Sequence, residues 1–222
     1  MSSEILVNEK PQLDPHPLSP YVAWAGNRNR DPILDIFQSK LPKHSGAVLE
    51  LASGSGMHIH YFAPHFPHLH FQPSDLNEEV FDNIKRLTQE TEVQNVNPPI
   101  QIDLTKTETW SALKGQKFDV IFCINIFQVA PVAIAEGMMQ CTADRLTDDG
   151  FLFVYGPFKV SGNCTTPSNE EFDQKLRSYG VSEWGLKDVD DLTQAARKKG
   201  LELKEMIQMP ANNLGLIYGF SL

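Results

Sequence analysis

The sequence predicts an α/β fold, a mostly parallel sheet with helices on both faces, and three observations predict it. An apolar run, Ala47 to Leu51, stops at Ser53-Gly54-Ser55-Gly56 and passes at once into helix-compatible sequence, as a strand does when it turns tightly into a helix. Leu69 to Asp75, followed by a helical pattern from Asn77, repeats the unit, and consecutive βα units imply a parallel sheet. Asp75 lies 21 residues beyond Gly54, where doubly wound folds place an acid that accepts both hydroxyls of a ribose.

Taken in order, residues 1–20 are polar and punctuated by Pro11, Pro15, Pro17 and Pro20, which predicts an extended or disordered arm. Residues 21–222 then form one domain, with 21–45 as an N-terminal helical segment. In that segment Asp31 is expected to cap a helix opened by Pro32, with Ile33, Leu34, Ile36 and Phe37 on its buried face. After the glycine turn Ile59, Phe62, Ala63 and Phe66 recur at helical spacing, but Pro64 should end or kink that helix near Ala63. Asn77 starts a helix with Val80, Ile84 and Leu87 on one face, and Pro99 to Asp103 is a short third strand. A helix through Trp110 and Leu113 leads to Phe118–Asn125, whose near-continuous hydrophobicity suits a strand covered on both faces. A helix through Ile134, Met138, Cys141 and Leu146 follows, then a turn at Asp148-Asp149-Gly150 and a strand Phe151–Tyr155. Ser168 and Glu171 read as a capping box for a helix carrying Phe172, Leu176 and Tyr179, and a further helix runs from Leu186 through Ala196 to Gly200. Leu201–Met209 and Leu214–Phe220 are closing strands joined at Pro210-Ala211-Asn212-Asn213.

At 222 residues and net charge −9 the chain is one α/β unit without the clustered lysine and arginine of a nucleic-acid footprint, so a small-molecule partner is expected. Three widely spaced cysteines make neither a disulfide framework nor a zinc motif, and no signal peptide or membrane span is visible, which predicts a cytoplasmic protein. The histidines from His58 to His70 lack a His-Glu-x-x-His pattern, and no metal is expected. Oligomeric state does not follow from the sequence.

Glu50 decides the ligand class. A dinucleotide-binding turn needs a third glycine where Ile59 stands, and an acid ahead of the turn repels phosphate. It suits a ligand with an ammonium and a sulfonium, as in S-adenosylmethionine. Glu50-x-Ala52-x-Gly54-x-Gly56 resembles the acid-x-Gly-x-Gly-x-Gly motif of class I S-adenosylmethionine-dependent methyltransferases, departing from it at Ala52. An NAD-dependent oxidoreductase is the disfavoured rival.

Arg28-Asn29-Arg30-Asp31-Pro32, Ala52-Ser53-Gly54-Ser55-Gly56 with His58, Gln72-Pro73-Ser74-Asp75, Cys123-Ile124-Asn125, Tyr155-Gly156-Pro157, Glu183-Trp184-Gly185-Leu186 and Pro210-Ala211-Asn212-Asn213 together resemble the methyltransferase-like 26 family, from about Asn27 to the C-terminus. That resemblance implies a Rossmann-like class I methyltransferase fold: seven strands in the order 3-2-1-4-5-7-6, the last antiparallel. It implies S-adenosylmethionine as cofactor and S-adenosylhomocysteine as product, and no particular substrate. Where many members carry a histidine this chain has Gln128, which cannot take up a proton near neutral pH.

The expected cofactor contacts are Arg28, Glu50, Ala52, Ser53, Gly54, Gly56, Asp75 with Leu76, Asp103 with Leu104, and Asn125. Asp75 takes the ribose, Glu50 the methionine amino group or the loop, and Asp103 either the adenine amino group or a helix start. Arg28 and Arg30 either clamp a carboxylate or are surface charges. Gln128, Tyr155 and His58 are the catalytic candidates: Gln128 and Asn125 facing the methyl donor, Tyr155 orienting the nucleophile, His58 as base or ligand contact. Tyr21, Trp24, Phe127, Phe158 and Trp184 are candidates for an aromatic acceptor pocket, and Tyr21 to Arg30 for a lid. Two other uses of the pocket stay open: a rearrangement or cyclisation supported by the same cofactor, and a non-catalytic sensing or scaffold role.

Overall fold

The computed structural model describes residues 10–221; residues 1–9 of the expected arm, and Leu222, lie outside the described residues. The main sheet has seven strands: β1 (Gly46–Leu51), β2 (Leu69–Asp75), β3 (Ile100–Gln101), β4 (Phe118–Ile124), β5 (Leu146–Gly156), β6 (Leu201–Met209) and β7 (Asn213–Phe220). They lie in the order β3-β2-β1-β4-β5-β7-β6, parallel from β3 to β5, with β7 antiparallel to both neighbours. Among the described residues the α-helices are α1 (Pro20–Lys40), α2 (Met57–Phe62), α3 (Phe81–Glu90), α4 (Ala133–Arg145), α5 (Pro167–Arg177) and α6 (Val189–Arg197).

The alternation of the central strands builds a core on each face. Leu49, Leu51, Ile121, Cys123, Leu152 and Val154 pack with residues of α4 and α6 on one side. Val48, Val120, Phe122 and Phe153 pack with α1 and α2 on the other, where Phe37 meets Phe62, Phe122 and Phe153 edge-on at 5.0, 5.3 and 5.3 Å.

Several boundaries differ from expectation. The first helix starts at Pro20, not at Asp31-Pro32: Ser19 Oγ accepts the Val22 N–H at 3.1 Å, and Pro32 lies inside a 21-residue helix. An interior proline costs roughly 3 kcal/mol. Burial of Ile33, Leu34 and Phe37 outweighs it at roughly 1.5–3 kcal/mol each. α5 is capped by Thr166, whose Oγ1 accepts the Asn169 N–H at 3.2 Å, and not by Ser168. Pro167 fits the first helical position, so the cap must precede it. Asp148-Asp149-Gly150 is a bulge within β5 and not a free turn, because Leu146 already pairs with Phe118 before Phe151 pairs with Val120. Trp110 and Leu113 lie on a 3-10 helix, Thr107–Leu113; Leu146 begins β5, and Leu186 precedes α6. The loop after β5 holds a small hairpin, Lys159–Val160 against Asn163–Cys164. α2 does end at Phe62, passing into a 3-10 turn Ala63–His65.

Candidate functional site

The turn after β1 is a left-handed loop. Ala52, Gly54 and Gly56 have φ of 55°, 53° and 80°, so the position where the motif has its first glycine demands that conformation even though alanine fills it. Two serines stitch the turn to β2. The Ser53 N–H donates to Ser74 O at 2.8 Å, the Ser74 N–H to Ser53 Oγ at 3.1 Å, and Ser74 Oγ to Glu50 O at 2.7 Å.

Glu50 is 2% exposed, and its Oε2 is buried with no hydrogen-bond partner. Burial pushes its pKa up to about 8, against a lowering hydrogen bond from Ser53, and the Asp75 charge adds to the rise. An orphaned carboxylate oxygen inside the turn is a costly feature that a cationic ligand group would satisfy.

Asp75 ends β2, with Oδ2 accepting the Gly54 N–H at 2.8 Å and Oδ1 the Asn77 N–H at 2.9 Å. Leu76 beside it is 56% exposed, an apolar side chain held out at the strand end. Asp103 accepts from the Thr105 hydroxyl at 2.6 Å, the Thr105 N–H at 2.9 Å and Lys106 Nζ at 3.1 Å. The Thr105 hydroxyl first, then the other donors, hold its pKa below the usual carboxylate value, and Leu104 is buried beside it. Its carboxylate thus shapes the turn ahead of the 3-10 helix.

At the end of β4, Asn125 has φ 58° and its N–H donates to Tyr155 O at 2.8 Å. Gln128 donates its side-chain amide to Asn125 O at 2.9 Å, and its own carbonyl accepts the Gly185 N–H at 3.0 Å. Tyr155 is 3% exposed; burial pushes its pKa up to about 12, with an Asn213 hydrogen bond and the Arg28 charge acting the other way. It therefore keeps its proton and can donate a hydrogen bond throughout the neutral range.

α1 crosses α2 at Gly26, where a Cβ would fall 2.3 Å from Met57 Sδ and displace the end of that flexible side chain. The crossing brings Asn29 Oδ1 to 2.7 Å from His58 Nε2. Oδ1 only accepts, so Nε2 carries the proton and Nδ1 keeps its lone pair. Burial, with the Arg30 charge, lowers the His58 pKa to about 4. Arg28 stacks over Trp24 at 4.7 Å and Arg30 over Tyr61 at 4.5 Å. Of the candidate aromatic pocket, Phe127 and Phe158 belong to the core, while Tyr21 and Trp24 pair at 5.9 Å and Trp184 pairs with Tyr179 at 5.3 Å. The arm covers the turn, since a Cβ on Gly54 would meet Pro17 Cβ at 3.5 Å.

Four residues the sequence did not single out complete the frame: Asn29, Ser74, Asn213, and His60, which lies 2.7 Å from both Gly56 O and Thr88 Oγ1. Polar residues at buried helix positions were the available signal for Asn29 and His60. Among the described residues no group of three His, Cys, Asp or Glu is placed to hold a metal, and no helix is long and apolar enough to cross a membrane.

Comparison with known proteins follows the same lines. The model of a family described as protein of unknown function (DUF938) matches residues 20–219. Among solved structures, an O-methyltransferase family protein from Burkholderia thailandensis superposes with TM-score 0.74 at 16% identity, over 90% of this chain and 59% of that one. An O-methyltransferase family 2 protein from Planctomyces limnophilus, in complex with apigenin, gives 0.72 at 15%, over 90% and 60%. The magnesium protoporphyrin IX methyltransferase from Synechocystis, solved with bound S-adenosylhomocysteine, gives 0.64 at 15%, over 86% and 82%. The chain spans a little over half the length of the first two of these structures. At such identities the likeness is one of fold: a class I methyltransferase-like Rossmann fold.

Proposed function

Given that the chain belongs to the DUF938 family, we propose that it is an S-adenosylmethionine-dependent methyltransferase acting on a small molecule. The observation that carries this reading is the orphaned Glu50 Oε2 inside a left-handed turn that Asp75 holds by its Gly54 N–H. The residue blocks that resemble the methyltransferase-like 26 family support the same reading, as do the methyltransferases of like fold.

S-adenosylmethionine supplies a methyl group on a sulfonium, and the group leaves by direct displacement. In this reading Glu50 receives the ammonium, the free lone pairs of Asp75 the ribose hydroxyls, and Asp103 the adenine amino group, with Leu76 and Leu104 against the ring. Ala52, Ser53, Gly54 and Gly56 lay backbone against the ligand, and Asn125 lines the donor side. Gln128 and Tyr155 orient the acceptor, with Tyr155 donating a hydrogen bond. His58 Nδ1 is the lone pair available to receive a proton, and at a pKa of about 4 it is a weak base. The acceptor is therefore one that needs little help in losing a proton, such as a neutral amine or a thiolate. Residues 21–222 act as one domain, the arm and first turns of α1 as its cover, and three free cysteines suit the reducing cytoplasm.

The lack of a strong base among the catalytic candidates favours a second reading. Gln128 takes up no proton, Tyr155 stays protonated and His58 is weakly basic, so a rearrangement on the bound cofactor, or binding without turnover, is the alternative.

Calorimetric titration with S-adenosylmethionine and, separately, NAD tests the pocket. Micromolar binding of the first, lost in Asp75→Ala, is the expected result, and methyl-labelled cofactor offered to cell extract then separates the two readings. Binding of NAD alone would overturn both.

A further inference from the structure

We propose that Tyr21, Trp24 and Phe172 form an aromatic cage for an ammonium group at the mouth of the cofactor crevice, and that Lys10 of the chain's own arm fills this cage in the free protein. Lys10 Nζ lies 6.0 Å from the Tyr21 ring centroid, 5.7 Å from Trp24 and 5.8 Å from Phe172. All three fall within the range at which a ring's negative face attracts a cation. Among the described residues Lys10 forms no salt bridge, and the groups its ammonium faces are these rings.

The convergence is tertiary. Tyr21 and Trp24 are neighbours on α1, while Phe172 comes from α5, and all three rings are half-buried with area left open to solvent. The location ties the cage to the site already described. The arm that carries Lys10 also lays Pro17 over Gly54, and Arg28, stacked on Trp24, acts electrostatically on Tyr155 at the end of β5. Arg28 is a second cation on Trp24 at 4.7 Å, and its repulsion, which salt only partly screens, works against the cage. The net charge of −9 favours cationic ligands over anionic ones.

A tethered lysine competes with a free cation at an effective concentration of about millimolar. Its ammonium thus marks the chemistry the cage takes and also lowers the apparent affinity for it. As a handle for the methyl acceptor the cage rests on the methyltransferase reading; as a cation site it does not.

The test is titration of choline, and of its neutral carbon isostere 3,3-dimethyl-1-butanol, into wild type, Lys10→Ala and Lys10→Ala/Phe172→Ala, with and without S-adenosylmethionine. The expected result is choline binding about tenfold tighter in Lys10→Ala than in wild type, weak binding of the isostere, and loss of choline binding in the double variant. Equal binding of choline and isostere, or no gain on removing Lys10, would overturn the cage. Choline binding that follows this pattern in a protein that ignores S-adenosylmethionine would keep the cation site and remove its role as an acceptor handle. Circular dichroism on each variant excludes unfolding as the cause of lost binding.

Discussion

Gly54 and Asp75, 21 residues apart, are joined by a 2.8 Å hydrogen bond in which the glycine N–H donates to Asp75 Oδ2. One carboxylate thereby fixes the turn after β1 and keeps further lone pairs beyond the two that accept backbone N–H groups. Shape and binding are separable here. Asp75→Asn keeps one carbonyl oxygen for one backbone N–H and turns its NH2 toward the other, so it should lose about half as much stability as Asp75→Ala and bind S-adenosylmethionine at least tenfold more weakly. Asp75→Ala orphans both N–H groups and should lose about 1–3 kcal/mol for each that stays buried. Denaturant midpoints and calorimetry separate the effects; wild-type affinity in Asp75→Asn would reduce the acid to a pin for the loop.

Glu50 sets function against stability. Its folded pKa of about 8 lies above the unfolded carboxylate value, so the folded chain holds an extra proton between the two. The stability this contributes is complete below the unfolded pKa and is lost as pH rises through about 8. Glu50→Gln should therefore remove that decline and be more stable than wild type at pH 8.5, while binding S-adenosylmethionine poorly. Binding of a cation should expel the proton, so wild-type calorimetry at pH 7 in buffers of different ionisation enthalpy should report proton release that Glu50→Gln lacks.

The loop backbone predicts opposite effects of two similar changes. Ala52 sits at φ 55°, where a Cβ costs roughly 1–2 kcal/mol, partly offset by the smaller unfolded-state entropy of alanine. Ala52→Gly should raise stability by roughly 0.5–1 kcal/mol. Gly56→Ala should lower it by more, since the new Cβ would stand 2.8 Å from Ile84 Cγ1 at φ 80°. Thermal unfolding of both variants checks the sign.

These particulars show what could be read ahead of the structure. β1 and β4 are mostly apolar runs closed by Ser53-Gly54 and by Asn125, β2 closes at Pro73-Ser74-Asp75, and the expected boundaries fall within a residue or two of the observed ones. Helix starts were harder because Ser19-Pro20 and Asp31-Pro32 obey the same capping grammar. Packing of Gly26 and Asn29 on α2, which no local pattern carries, extends the helix back to Pro20. The same competition misplaced the α5 cap between Thr166-Pro167 and Ser168. In the site, Glu50 and Asp75 were visible through spacing along one βαβ unit. The Asn29–His58 bond and the cage around Lys10 join distant segments, so only the folded chain displays them.

The Asn29–His58 pair yields the last prediction. His58 is held neutral, with a folded pKa of about 4 against an unfolded value near 6.5, so the unfolded chain binds the extra proton between them. Stability from this group is complete above the unfolded pKa and is lost as pH falls toward about 4. His58→Gln can still donate an N–H to Asn29 Oδ1 but does not titrate, so its stability should lack that acid decline and exceed wild type relative to their pH 7 values. Asn29→Ala leaves the imidazole N–H without its 2.7 Å acceptor and should cost about 1–3 kcal/mol at pH 7. Urea midpoints from pH 7 to pH 4 measure both. If His58→Gln and wild type lost stability in parallel over that range, the acid response would belong to other groups and the neutral imidazole would not be what joins α1 to α2.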